Sequence, residues 1–526
     1  MAKTKMIKSI KNYLLGAKQW VQKNPAEFWI LFGILAVAAF CRLYRIDQYM
    51  TFLGDEGRDV IIVRRLLLQG HPPLIGPGTS IGNMYLGPLY YYMMAIPLFL
   101  TNYNPIGPAI QIALLGIVTV WFVWYVGQIW LGKVAGLIAA GLFAISPTVI
   151  IYSRSSWNPN IMPFFSLLTM WSIWKIWRDK SFNWLIVLGL SFAFVLQSHY
   201  LGLLLAPTIF IFWLLTIRDL KLNGKWNSEG KKFIKKSLLG IFIFLVLMSP
   251  LLIFDVRHNW INTKALYEFL TVRQTTVSIK PWTAIPKIPE ILNSIDLSVI
   301  AAKNSTASVF ASLIILIGTL YLFLRNYLKN KKFNLPSEYW FLISWIAFGL
   351  IGLGVYKQNI YDHYFGFLFV VPPLLIGAFV SMLLADGKIL KILGASVLVF
   401  FVYINLAQNP LRSPPNYQLK RAYDVAKKIE SEDGGQSFNL GVIAERNYED
   451  GYKYFLLRDN APVVDIDSQV KSSITNQLFA VCELEASKCD PTHNSTAAVA
   501  NFGWSKVASQ WEVDGVIIYK LVHLNK

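Results

Sequence analysis

Three cysteines in 526 residues leave no material for a dense disulfide scaffold or a metal site built from four cysteines. A CxxC set, an HExxH pair, a P-loop, a GxSxG elbow and a dinucleotide glycine pattern are all missing, so nucleotide-driven and zinc-hydrolase chemistry have no support. Acids are scarce as well: 30 Asp and Glu stand against 49 Lys and Arg, for a net charge of +19. That surplus is not a nucleic-acid surface, because residues 411–526 carry 13 basic against 15 acidic side chains and the whole excess therefore flanks the apolar front of the chain. No internal repeat and no matched pair of broken helices marks inverted halves of the transporter type.

What is present is grease. The composition is 55% hydrophobic and 15% aromatic, and twelve apolar runs appear near 26–44, 85–101, 108–130, 133–152, 157–177, 183–200, 201–217, 237–254, 300–323, 338–356, 364–385 and 389–408. Runs of this length read as a polytopic membrane protein. Six lysines (Lys3, Lys5, Lys8, Lys11, Lys18, Lys23) precede the first run, with no small-residue cleavage site before Arg42 and Arg45, which predicts a retained span and a cytoplasmic N-terminus over 1–25.

The basic connections 218–236 and 325–337, with Lys175/Arg178/Lys180 and Lys388/Lys391, should also be cytoplasmic. Working outward, 255–299, 356–363 and the tail fall outside, and parity then leaves 85–101 with both ends on the outer face. That run is short and carries Pro88, Pro97 and a tyrosine cluster, so the expectation is about 11 transmembrane helices over 26–408, with outer loops 45–107 and 255–299. A single bent helix over 183–217 restores parity equally well. The tail, 409–526, predicts a soluble extracytoplasmic α/β domain: a helix over 417–432 and strand-like runs "FNLGVIAE", "APVVDID", "QLFAVCEL" and "DGVIIYKLV". Outside the cell, Cys482 and Cys489 can pair.

Three polar clusters could carry chemistry. "DEGRD" (55–59) puts Asp55 and Glu56 side by side at a water–lipid boundary, where burial and a like charge push one carboxyl toward a useful base, with Arg58 holding the other ionised. The competing reading is an interfacial helix with acids at its N-terminus. "SRSSWNPN" (153–160) brings Arg154, Trp157, Asn158 and Asn160 to the outer end of a run, and a planar guanidinium suits a phosphate; an arginine reaching for lipid headgroups fits as well. "VYKQNIYDHYFG" (355–366) crowds Lys357, His363 and Tyr364, which could bind a lipid phosphate or form an aromatic belt. His199 and His258 are further outer-face candidates. The parity argument places all of these on one face, where independent headgroup anchors would be divided between both.

"DEGR" (55–58), "GPLYYY" (87–92) and "ISPTVIIYSRSSWNPNIMPFF" (145–165) together resemble the GT-C membrane glycosyltransferases, in the branch holding protein O-mannosyltransferases and the aminoarabinose transferase of lipid A. The resemblance implies an all-α polytopic membrane domain that moves a sugar from a polyprenyl-phosphate donor to a hydroxyl of an acceptor glycolipid, glycan or protein, on the extracytoplasmic face of the plasma membrane, inverting the anomeric centre. Asp55 would be the general base and Glu56 its helper, with Arg58, Arg154, Lys357, His363 and Tyr364 toward the donor phosphate. Asn158 or Asn160 stands where the family has a second acid, so no metal and no cofactor is expected; membrane lipids are partners and nucleic acid is not. A lipid-linked substrate flippase is the alternative, against which the near absence of mid-depth ionisable groups counts. A non-catalytic membrane scaffold with a partner-binding tail is the third reading.

Overall fold

Among the described residues, seven helices are long and apolar enough to cross a bilayer: Pro25–Leu43, Ile106–Leu131, Tyr200–Leu222, Trp226–Arg257, Ser305–Leu324, Ser337–Val355 and Lys388–Ala407. Asp362–Leu368 and Val371–Ala385, bent by 57° at their junction, make an eighth if they cross as one. The protein is multi-pass. This computed structural model describes residues 15–16, 18–82, 84–271, 276–278, 280–330 and 335–524. Lys3, Lys5, Lys8 and Lys11, residues 331–334 of the basic connection, and 272–275 of the outer loop lie outside the described residues.

The expected eleven spans counted apolar runs, and some of these runs are interrupted or shortened as helices. The run 133–152 is divided at Ser146-Pro147 into Lys133–Ile145 and Pro147–Tyr152, because a proline cannot continue a helix behind it but starts the next one well. Met162–Asp179 is broken up by Ser and Trp and ends on Lys175, Arg178 and Asp179. The run 183–217 is interrupted at His199, which is extended (φ −164°, ψ 135°) between Trp184–Ser198 and Tyr200–Leu205. The 85–101 run is a helix of only 12 residues, Leu89–Leu100.

The membrane core is dominated by large side chains on facing helices, among them Trp130, Trp171, Trp174 and Phe341 in tilted and edge-to-face contacts with centroids 5.3–6.0 Å apart. One buried cation crosses this core: Arg42 donates to the Ala144 carbonyl at 2.9 Å, tying the first helix to the end of Lys133–Ile145.

The tail is an α/β domain. Helix Gln418–Glu432 is amphipathic, with Leu419, Ala422, Val425, Ala426 and Ile429 buried. It precedes β1 (Phe438–Ile443), β2 (Val463–Val464), β3 (Gln477–Cys482), β4 (Ser505–Val513) and β5 (Val516–His523), which form one sheet in the order β2-β1-β3-β5-β4. β1 pairs in parallel with β2 and β3, and β1 and β3 are buried along their length, as strands covered on two faces are. β4 and β5 form an antiparallel hairpin through Asp514-Gly515, both at positive φ. β4 is the strand the sequence pattern missed: it is an edge strand with exposed Lys506, Ser509 and Gln510, so it has no apolar signal. Cys482 and Cys489 form a disulfide.

Candidate active site

The acidic motif is the first turn of helix Gly54–Gln69. Its two carboxylates go opposite ways. Glu56 is buried and folds back so that Oε2 accepts from the Leu53 N–H at 3.0 Å, satisfying one of the orphan donors of the helix start. Burial pushes its carboxyl up to about 7, against the pull of that backbone donor and with a push from Asp55. Asp55 is half exposed, and its Oδ1 accepts from Arg58 Nη1 and from the Tyr448 hydroxyl, both at 2.8 Å. Among the described residues Oδ2 of Asp55 has no partner.

Arg58 is shared between two acids. Its Nε and Nη2 both donate to Asp59 Oδ1, at 3.0 and 2.8 Å. Asp59 is fully buried and also accepts from the Tyr91 hydroxyl at 3.1 Å, while its Oδ2 is buried without a partner among the described residues. Burial raises the Asp59 carboxyl to about 6, and the Arg58 guanidinium limits the rise. Arg58 is thus a bridge that orients Asp55 from below, and it reaches the cavity with part of its charge already matched.

That cavity, of about 110 Å³, opens between the acidic helix and the membrane domain. Asp55, Arg58, Asn158, His199, His363 and Tyr364 all line it, so segments far apart in sequence meet there. Trp157, singled out with Asn158 in the sequence, lines it too, as do Ser80 and Tyr200, which sequence reasoning passed over. Ser80 Oγ lies 3.3 Å from the Tyr364 hydroxyl and 3.5 Å from that of Tyr200, which in turn lies 2.8 Å from the Tyr356 hydroxyl. His199 Nδ1 accepts from the Leu201 N–H at 3.2 Å, which leaves the proton of a neutral ring on Nε2. Trp157 packs on His363 with centroids 4.6 Å apart. Asn158 is buried and donates to the Ser198 carbonyl at 2.8 Å, fixing the corner where His199 turns.

Five candidates sit elsewhere. Arg154 does not line the cavity: its guanidinium donates to the carbonyls of Cys41, Tyr44 and Arg45 at 2.6, 2.8 and 3.2 Å and lies over the Tyr49 ring, so it closes the C-terminal end of the first helix. Asn160 donates to the Ser155 carbonyl and lines a smaller neighbouring pocket. His258 is exposed, stacked on Phe254 at 4.0 Å. Lys357 is exposed on the strand-like pairing of Val277 with Tyr356 and is not in the cavity wall. Glu56, expected beside Asp55 in the chemistry, faces the protein interior. The cavity wall is therefore poorer in cations and richer in neutral donors than expected. Among the described residues no three His, Cys, Asp or Glu side chains gather in a metal-sized group.

Residues 86–254 match the family model of dolichyl-phosphate-mannose-protein mannosyltransferases, a stretch that holds Trp157, Asn158, His199 and Tyr200 of the cavity wall. No curated protein matches the chain in sequence. The structure of ArnT from Cupriavidus metallidurans bound to undecaprenyl phosphate superposes with a TM-score of 0.60 at 12% identity, over 94% of this chain and 98% of that one. The archaeal oligosaccharyltransferase AglB from Archaeoglobus fulgidus, in complex with an inhibitory peptide and a dolichol-phosphate, does so with a TM-score of 0.54 at 12% identity, over 95% of this chain and 74% of that one. The chain has the GT-C fold of the membrane glycosyltransferases.

Proposed function

We propose that this protein transfers a sugar from a polyprenyl-phosphate donor to an acceptor hydroxyl on the extracytoplasmic face of the plasma membrane, with Asp55 as general base. The observation that carries the reading is the asymmetric Asp55 carboxylate: one oxygen is held by two donors and the other is left without a partner among the described residues, on a carboxyl that lines the cavity. In the step proposed, the acceptor O–H loses its proton to Asp55 Oδ2 as its oxygen bonds to the anomeric carbon. The bond from that carbon to the phosphate oxygen breaks, and its electron pair leaves with the lipid phosphate. A single displacement of this kind inverts the anomeric centre.

The departing phosphate needs donors that are in place beforehand. Ser80, Tyr200, Tyr364 and the Nε2–H of His199 supply neutral ones around the cavity, and Arg58 supplies the nearest guanidinium. Donor phosphate recognition is assigned to this group, in place of the Arg154 and Lys357 pair.

The direct check is a reconstituted transfer assay that offers the purified full chain a polyprenyl-phosphate sugar or the corresponding nucleotide sugar. Glycosylated acceptor and free polyprenyl phosphate should appear in equal amounts from the lipid donor alone. Turnover of the nucleotide sugar with no lipid present would overturn the donor assignment.

A further inference from the structure

The two glycines that flank the acids of "GDEGR" are where the tail domain sits down. A Cβ on Gly54 would lie 2.5 Å from the Tyr448 ring, and one on Gly57 would lie 2.3 Å from the backbone of Asp450 and Gly451. The end of the loop after β1 and the start of helix Asp450–Arg458 therefore rest directly on the first turn of the acidic helix, closer than any side chain there would allow.

The seat is hydrogen-bonded as well as close. Asn447 Oδ1 accepts from the Gly54 N–H at 2.8 Å and from its neighbour Tyr448 N–H at 2.9 Å. Its Nδ2 donates to Glu483 Oε1 at 2.5 Å, and the Tyr452 hydroxyl donates to the same oxygen at 2.5 Å. Glu483 directly follows β3 and its disulfide-bonded Cys482, so the loop is braced against the centre of the tail domain's sheet. From this platform the Tyr448 hydroxyl reaches Asp55 Oδ1. Burial pushes that phenol above its ordinary range, with Asp55 adding to the rise, so it stays protonated and remains a donor.

We propose that Tyr448 is a positioning residue for the Asp55 carboxylate, so that sugar transfer needs the tail domain seated on the acidic helix. The inference rests on the reading of Asp55 as base. Tyr448 and Arg58 both donate to Oδ1, and Arg58 Nη1 also donates to the Tyr448 oxygen at 3.3 Å, a closed set of contacts that holds the carboxylate and leaves Oδ2 to take the acceptor's proton. Tyr448 is not in the cavity wall, so it acts through Asp55 and not on substrate. This gives the tail a part in the chemistry that neither a passive accessory nor a separate acceptor-recognition module would have.

The test compares full-length wild type, Tyr448→Phe, Gly57→Ala, Asp55→Asn, Asp55→Glu and the double variant Asp55→Glu/Tyr448→Phe in the transfer assay, with a melting curve for each. Phenylalanine keeps the ring on Gly54 and removes only the hydroxyl. The expected result for Tyr448→Phe is a kcat lowered about tenfold or more with donor KM within about twofold and the melting curve unmoved, as loss of a charge-assisted hydrogen bond to the base should give, the contact that the same hydroxyl accepts from Arg58 Nη1 being the longer one at 3.3 Å. Gly57→Ala should lower kcat in the same way, because its methyl displaces the loop. In the double variant the phenylalanine should add nothing to the loss caused by Asp55→Glu. Wild-type kcat in Tyr448→Phe beside an inactive Asp55→Asn overturns this inference and leaves the base assignment standing. Wild-type rates in Asp55→Asn overturn the base assignment itself. A Tyr448→Phe loss that is fully additive with Asp55→Glu, or that tracks a lowered melting temperature, also refutes positioning and makes the contact merely structural.

Discussion

Replacing Glu56 by glutamine separates the two acids of the motif, because it removes a buried charge and keeps an oxygen for the Leu53 N–H. Burial lifts the Glu56 carboxyl from its ordinary 4.5 to about 7, so the folded protein holds a proton there that the unfolded chain gives up. The sign follows from that. Below about pH 4.5 the carboxyl is neutral in both states and costs nothing; as pH rises through the window to about 7 the folded state loses stability, and above it the whole penalty is present. At 1.36 kcal/mol for each pH unit of difference, the penalty is on the order of 3 kcal/mol. Glutamine is neutral throughout, so Glu56→Gln should match wild type near pH 4.5 and exceed it by on the order of 3 kcal/mol at pH 8. Melting in detergent across that range reads the stability, and the transfer assay should show activity retained. A glutamine variant less stable than wild type at pH 8 would mean that the Glu56 carboxylate is ionised and paired in place. A variant that is stable but inactive would return Glu56 to the chemistry.

Arg154→Ala takes the side-chain donor from the Cys41 and Tyr44 carbonyls, while the Arg45 carbonyl keeps the Gln48 N–H, and should cost about 2 kcal/mol or more with donor KM unchanged in whatever protein folds; a specific rise in donor KM at full stability would support the phosphate role. Reducing the Cys482–Cys489 bridge, or replacing both by serine, reopens a short loop and should lower tail-domain stability by about 2 kcal/mol, read by melting with and without reductant; no change would show that the loop is held without it. Topology is checked by cysteine labelling in intact cells. A cysteine at exposed Trp504 should react with an impermeant maleimide, and one at exposed Lys225 only after permeabilisation, with the reverse pattern overturning the orientation.

The sequence made the apolar helices, the α/β tail and the acidic turn legible because each has a local signature: long apolar runs, alternating strands, and charge in a place where charge is costly. Span number was less legible, since a run of apolar residues does not announce where Ser146-Pro147 or His199 will interrupt the helix. The site divided the same way. Asp55, Arg58, Asn158, His199, His363 and Tyr364 stood out by charge, ring or amide among apolar neighbours. Ser80 and Tyr200 are ordinary residues in ordinary surroundings until distant segments fold together, and Tyr448 comes from another domain, 393 positions away from the carboxylate it holds. Arg154 shows the same limit: an arginine near an outer helix end suits a phosphate as well as a helix C-terminus, and the three carbonyls within its reach come from the fold, not from its sequence neighbours. The glycines of "GDEGR" carried a signal that could have been used, since a glycine pair bracketing two acids at a helix start asks what approaches so closely.

The central claim is that Asp55 takes the acceptor's proton. Single-turnover transfer by Asp55→Asn, with polyprenyl-phosphate sugar prebound and its binding measured separately, tests it most directly. The account predicts donor affinity near that of wild type and a transfer rate at least about 100-fold lower, the usual contribution of a positioned general base. Transfer at the wild-type rate, or a loss explained wholly by failure to bind donor, would contradict it.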